Sequence, residues 1–162
     1  MKKLLLLLII LIAAILCGCQ REYGILDYQN KSIWAECQIN GKYKAVITKN
    51  EGVCKISITE PREMQGIEFE IMESGAIASY DSLKIEIDKE SLQGVCAIGS
   101  VFSQSEECLT GAREQGKESV LTFEQNGTLY QITLGEGSVP KNVKIINEAF
   151  EYDIEICAIE LT

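Results

Sequence analysis

The stretch SVLTFEQNGTLYQITL, Ser119–Leu134, sets the architecture of this chain. Leu121 and Phe123 alternate with Thr122 and Glu124; beyond Asn126-Gly127, Tyr130 and Ile132 alternate with Gln131 and Thr133. A period of two sends alternate side chains to opposite faces of a strand. Asn-Gly suits the two positive-φ positions of a type I′ hairpin turn. A two-residue loop there sets Gln125 opposite Thr128, Phe123 opposite Tyr130 and Leu121 opposite Ile132. Turn chemistry and face matching agree on that register, which predicts an antiparallel hairpin with one wet face.

The same period extends through most of the chain. Upstream it predicts a meander of Ile33–Ile39, Tyr43–Thr48 and Val53–Thr59. A three-residue loop, Asn40–Lys42, pairs Ile39 with Tyr43 and Cys37 with Ala45, whereas a two-residue turn would set Ile39 against Lys42. Ile47 is expected opposite Cys54. That leaves Cys37 and Cys54 two strands apart, roughly 10 Å, beyond disulfide reach. Gly66–Met72, Ala76–Tyr80 and Leu83–Asp88 follow as strands, with Leu83, Ile85 and Ile87 expected to face inward. Downstream, Asn142–Asn147 and Glu151–Leu161 complete the set. Between these runs, Ser91–Glu114 loses strict alternation. Leu92, Val95, Cys96, Phe102 and Leu109 fall at helical spacing, interrupted by Gly94, Gly99 and Gly111. One or two helices are expected there, broken near Ser103–Ser105 and packed across the sheet, with Ala112–Lys117 a polar loop. The fold class is α+β with a mostly antiparallel sheet.

The first residues address the chain. Lys2 and Lys3 precede an apolar run from Leu4 to Leu16 that ends at Leu16-Cys17-Gly18-Cys19. The run suits a signal-peptide core and is short of the ~20 residues of a bilayer span. Leu16-Cys17-Gly18-Cys19 resembles the bacterial lipobox, in which the cysteine becomes the first mature residue and carries lipid. Gly18 is the small residue before Cys19, so Cys19 is the expected attachment site. Residues 1–18 then form a lipoprotein signal peptide. Residues 19–30 form a lipidated tether with a short helix around Ile25, Leu26 and Tyr28, and residues 31–162 form a single α+β domain. Two or three acyl chains anchor stably where one does so marginally. The resemblance implies an extracytoplasmic protein, lipid-anchored to the bacterial cell membrane.

Charge narrows the partners. The 162 residues carry 15 Lys and Arg against 24 Asp and Glu, a net charge of −9. Removing residues 1–18 takes away two lysines and no carboxylate, giving −11. Nucleic acid is excluded as a partner for want of clustered cations. Docking on anionic headgroups is disfavoured too, so the lipid must hold the protein at the membrane.

Little in the sequence suggests chemistry. There is no histidine, the usual base for a Ser or Cys nucleophile, so Cys54 and Cys157 are poor candidates. After Cys19 the cysteines are Cys37, Cys54, Cys96, Cys108 and Cys157, with no C-x-x-C pair. All five are expected as core thiols without a zinc site; Cys96 with Cys108 is the pair to consider for a disulfide. Glu68/Glu70 and Glu151/Asp153/Glu155 fall on outward strand faces, where solubility explains them. No calcium loop appears, and Gly135-Glu136-Gly137 is a lone G-x-G with no helix behind it. No cofactor, metal or catalytic residue is expected.

The order of elements resembles the lipoprotein-carrier superfamily, the outer-membrane lipoprotein carriers and receptors and their sigma-factor regulatory relatives. The residues that carry the resemblance are Ile58-Thr59-Glu60-Pro61 before Gly66-Ile67, Tyr80–Leu83 before a strand, then Gly127 and Gly137-Ser138-Val139-Pro140. It spans roughly Trp34–Ile156. It implies a curved, half-barrel-like sheet with helices over its concave face, a surface that takes acyl chains or proteins in that family. A tether at Cys19 favours a receptor-like or sensor-like member over a soluble shuttle. The inward set Tyr43, Ile56, Phe69, Ile85, Phe123 and Ile132 is the candidate lining of a ligand cavity. The expected function is a non-enzymatic membrane-anchored lipoprotein binding or sensing a hydrophobic ligand or envelope protein. The alternative is a structural surface lipoprotein with a filled core.

Overall fold

The computed structural model describes residues 31–162. The signal sequence, Cys19 and the short helix expected around Ile25, Leu26 and Tyr28 lie outside the described residues. From Ser32 the chain meanders outward through β1 (Ile33–Ile39), β2 (Tyr43–Asn50), β3 (Val53–Glu60), β4 (Ile67–Met72), β5 (Gly75–Tyr80) and β6 (Leu83–Ile87). A helix of 15 residues follows: α1 (Gln93–Gly99) flanked by the 3-10 turns Lys89–Leu92 and Ser100–Ser103. The chain then returns through β7 (Leu109–Gln115), β8 (Glu118–Gln125), β9 (Thr128–Leu134), β10 (Pro140–Ile146) and β11 (Glu151–Leu161). All eleven strands form one curved antiparallel sheet in the order β6-β5-β4-β3-β2-β1-β11-β10-β9-β8-β7, which does not close into a barrel.

This topology dictates where the helix goes. The chain leaves the sheet at one edge, β6, and re-enters at the other, β7. Residues 88–108 must therefore cross a face of the sheet, and they cross the apolar one. Ala97, Ile98, Val101 and Phe102 of the helical run join one buried cluster with Ile33, Ala35, Cys37 and Ile39 of β1 and the inward residues of β2, β3 and β8–β11. Gly94 and Gly99 permit the approach. A Cβ on Gly94 would collide with the Tyr152 hydroxyl, and one on Gly99 would lie 2.6 Å from Ile71 Cδ1 and 3.4 Å from Cys54 Sγ. These glycines read in sequence as helix interruptions; in the fold they are the points of closest helix–sheet contact. At the helix C-terminal end the Lys49 ammonium donates to the Phe102 carbonyl at 3.0 Å, where the helix dipole favours a cation. Burial holds the Lys49 pKa below its usual range.

The registers of the best-marked strands are as expected: Ile39 opposes Tyr43, Cys37 opposes Ala45, Phe123 opposes Tyr130 and Leu121 opposes Ile132. One helix lies within Ser91–Glu114, as the spacing allows, and it packs across the sheet. Five expectations are corrected. Ile47 opposes Ile56, and Cys54 opposes Lys49, because β2 runs on to Asn50 and closes through Glu51-Gly52, both at positive φ. Leu109 is not helical and Ala112–Lys117 is not a loop: beyond a 3-10 turn at Glu106–Cys108, Leu109–Gln115 is strand, and only Gly116-Lys117 is turn. β7 is an edge strand with mostly exposed side chains, so burial imposes no alternation on it. Leu83 and Ile85 share the face of the core residues but are exposed. Cys157 is exposed rather than core: Glu36 opposes Ala158 while Cys37 opposes Ile156, leaving Cys157 as the extra residue of a bulge. Cys37 and Cys54 are buried, Cys96 and Cys108 half-buried, and all are free thiols.

Candidate functional site

Residues directly opposite one another across strands share a sheet face. One such row on the concave face runs Ile85, Ala78, Phe69, Ile56, Ile47, Ala35 from β6 to β1. Burial along it is not uniform. Ala35, Ile47 and Ile56 are fully covered, Phe69 and Ala78 partly, and Ile85 hardly at all. The helix crosses over the middle of the sheet as far as Ile71 of β4 and leaves one wing, the Tyr80–Ile85 end of the β5–β6 hairpin, open. Tyr80, Leu83 and Ile85 are 54 %, 60 % and 49 % exposed, the large hydrophobics that face solvent among the described residues. Tyr80 sits between Ile67 and Leu83 in its own row, with the glycine at Gly66 beside its ring. The wing is therefore a small apolar shelf, wet on one side.

The six candidate lining residues divide accordingly. Ile56, Phe123 and Ile132 are buried in the filled core with the helix. Tyr43 and Phe69 are half-buried at its margin. Ile85 alone stands on the open wing. The structure brings no single cavity around all six. Tyr80 and Leu83, absent from that set, flank the two-residue Asp81-Ser82 turn. They were recognisable as apolar residues in an edge hairpin, where no further strand covers them.

A second concavity, about 450 Å³, opens beside the helix. Ile71, Gln93, Cys96, Ala97, Tyr130 and Phe150 line it, together with Asn126 and Asn147 from two turns. Its wall is held by the helix end: Ser100 Oγ donates to the Cys96 carbonyl at 2.8 Å, and Gln104 Nε2 donates to the Ser100 carbonyl at 2.8 Å. Burial raises the Tyr130 pKa.

The thiols point away from nucleophilic chemistry. Burial pushes Cys37 up to about 12 and Cys54 up to about 11, and raises Cys96 as well. A reactive cysteine needs the opposite shift. The acidic residues of β4 and β11 sit on the convex face, and Glu68 and Glu151 among them form surface ion pairs. Glu68 accepts from Lys55 at 2.8 Å and from Ser57 at 3.1 Å, and the Lys55 bond holds its carboxyl below the usual range. Glu151 pairs with Lys144 at 2.8 Å. Among the described residues no cluster of three His, Cys, Asp or Glu side chains is placed to hold a metal, and no helix is long and apolar enough to cross a membrane.

Comparison with known proteins places the fold. No family model matches the chain, and no curated protein matches it. An uncharacterized conserved protein from Thermus thermophilus shares the architecture: 13 % identity, 88 % of each chain covered, TM-score 0.51. Structural neighbours also include a LolA-superfamily protein from Nitrosomonas europaea, 9 % identical over 86 % of this chain and 92 % of its own, with a TM-score of 0.41. Another is a putative outer membrane lipoprotein-sorting protein domain from Vibrio parahaemolyticus, with the same identity and coverage and a TM-score of 0.43.

Proposed function

We propose that this chain is a membrane-anchored, non-enzymatic bacterial lipoprotein, held outside the cytoplasm by lipid on Cys19. Its open wing binds a hydrophobic ligand or an apolar segment of an envelope protein. The observation that carries the reading is the shelf of Tyr80, Leu83 and Ile85 exposed on the same sheet face that is filled elsewhere. An apolar face left open beside a packed core is where an acyl chain or an apolar side chain gains most from leaving water. The raised thiol pKa values and the lack of histidine support a binding role over catalysis.

Native mass spectrometry on residues 20–162, purified without detergent after bacterial expression, tests it. The expected result is a mass excess that denaturation removes, with fatty acid or phospholipid in the extract. Leu83→Glu combined with Ile85→Glu should abolish the excess without unfolding the domain. A clean apo mass, with no protein partner captured through the same wing, sinks the reading. A second reading, a structural surface lipoprotein, draws on the filled centre of the sheet, where Ile56, Phe123 and Ile132 leave no room for a ligand.

A further inference from the structure

The edge that bounds the open wing is built to meet itself. In β6 the pairs with β5 are Tyr80–Leu83, Ser79–Lys84, Ala78–Ile85, Ile77–Glu86 and Ala76–Ile87. The pair flanking a two-residue turn is hydrogen-bonded, and bonded pairs alternate with non-bonded ones along an antiparallel ladder. Leu83, Ile85 and Ile87 therefore engage β5 with their backbone groups. The N–H and C=O of Lys84 and Glu86 point to the open edge. The side chains of Lys84 and Glu86 lie on the convex face, and neither has an ion-pair partner within 4 Å among the described residues.

An added antiparallel strand must set outward backbone groups against outward backbone groups. For a second β6 this allows few registers. Centring on Lys84 sets lysine against lysine; centring on Glu86 sets glutamate against glutamate, and its Lys84–Asp88 pairs fall beyond the end of β6, where the Asp88 carbonyl already accepts from Ser91. Centring on Ile85 sets Lys84 against the second copy's Glu86, and Glu86 against its Lys84. Ile85 then meets Ile85, and Leu83 meets Ile87, on the concave face. Like charges directly opposite destabilise a ladder and opposite charges stabilise it. The sequence Leu83-Lys84-Ile85-Glu86-Ile87 is thus complementary to itself in one register, in charge, in apolar contact and in backbone hydrogen bonding. The other edge differs: β7 carries an irregularity between Leu109 and Gly111, a device that hinders strand addition.

We propose that the chain forms a two-fold dimer in which β6 pairs antiparallel with β6 of a second copy, centred on Ile85. The pairing is isologous and closes on itself, so it yields a dimer and not a fibre. It joins two open wings into one continuous apolar trough, whose floor carries Tyr80, Leu83 and Ile85 of both copies. The inference rests on the edge strand alone: a monomer that still binds a hydrophobic ligand overturns it and leaves the proposed function standing.

Sedimentation equilibrium on the intact chain in detergent tests it, with Lys84→Glu, Glu86→Lys and the double exchange Lys84→Glu/Glu86→Lys. The wild-type chain should be dimeric. Each single reversal should weaken self-association roughly tenfold or more, with an unchanged far-UV circular dichroism spectrum, and the double exchange should restore it. Ile85→Cys, in a Cys157→Ser background, should cross-link to itself on mild oxidation, because a centred non-bonded pair brings the two Cα atoms to about 4.5 Å. Leu83→Cys should not. A wild-type chain that stays monomeric overturns the proposal, whether bare or carrying another protein or a lipid. So do single reversals that dimerise as well as wild type, or a double exchange that stays monomeric.

Discussion

Replacing Phe102 by alanine asks whether the helix is part of the core or a cover over an open space. Phe102 is among the largest fully buried side chains, and it sits in one cluster with strand residues from both halves of the sheet. Truncating a buried phenylalanine costs about 3–5 kcal/mol. The described domain is about 130 residues, which at roughly 2.1 cal/mol/K per residue gives an unfolding entropy of about 280 cal/mol/K near its midpoint. The variant should therefore melt about 11–18 °C below wild type, a large part of a total stability of roughly 5–15 kcal/mol. Thermal unfolding followed by circular dichroism reads this. Urea titration should show a lower midpoint with unchanged slope, which marks lost stability and not a changed unfolded state. Lys117→Ala in the exposed β7–β8 turn is the control and should shift stability by no more than ~0.5 kcal/mol. If Phe102→Ala melts within ~4 °C of wild type, about 1 kcal/mol, the helix is a detachable cover, and the account of a filled centre is wrong.

Three further outcomes follow from the same structure. Gly99→Leu forces a side chain against Ile71 and Cys54; overpacking of this kind costs about 1–3 kcal/mol, and dye binding to newly exposed apolar surface should rise as the helix is displaced. Wild-type dye binding in this variant contradicts the close approach. Alkaline pH should destabilise the fold, because unfolded Cys37 and Cys54 ionise near 9.0 while burial holds them protonated up to about 12 and about 11. The unfolded state then binds fewer protons, so stability falls as pH rises from 9 towards 11, by up to ~1.4 kcal/mol per pH unit per thiol. Urea unfolding at several pH values should show this slope roughly halved in Cys37→Ser; an unaltered slope refutes the assignment. Cys19→Ser should release the protein from washed membranes into the soluble fraction, and its retention there contradicts a lipid anchor.

The strands whose two faces differ most were legible from sequence. β1 and β9 have buried residues at every second position, and Asn126-Gly127 fixes the register of β9 on β8. Legibility failed where burial no longer imposes the pattern. β7 has no fully buried side chain, and its second half reads as a loop; β6 alternates, yet Leu83 and Ile85 on its apolar face stay exposed. Alternation reports which face a residue takes, and says nothing of what lies over that face. The same limit explains the candidate site. Ile56 and Ile85 carry identical signals on one sheet face, but one lies under the helix and the other beyond its reach. Cys157 shows a third limit: it follows inward Ile156 and so faces out by simple alternation, and the bulge there, unmarked in the sequence, returns Ile159 and Leu161 to the core face.

The meeting of β1 with β11 at the centre of the sheet has a consequence for how the chain comes to be folded. Ser32 and Thr162 exchange backbone hydrogen bonds at 2.8 and 3.0 Å, so the first and last described strands act as a clasp. Before β11 arrives, β1–β6 and β7–β10 are two separate half-sheets, each with an apolar face and an unpaired inner edge. Contacts so distant along the chain carry the largest loop-closure cost and form slowly. During synthesis the two half-sheets cannot join into one sheet until the eleven residues of β11 have emerged.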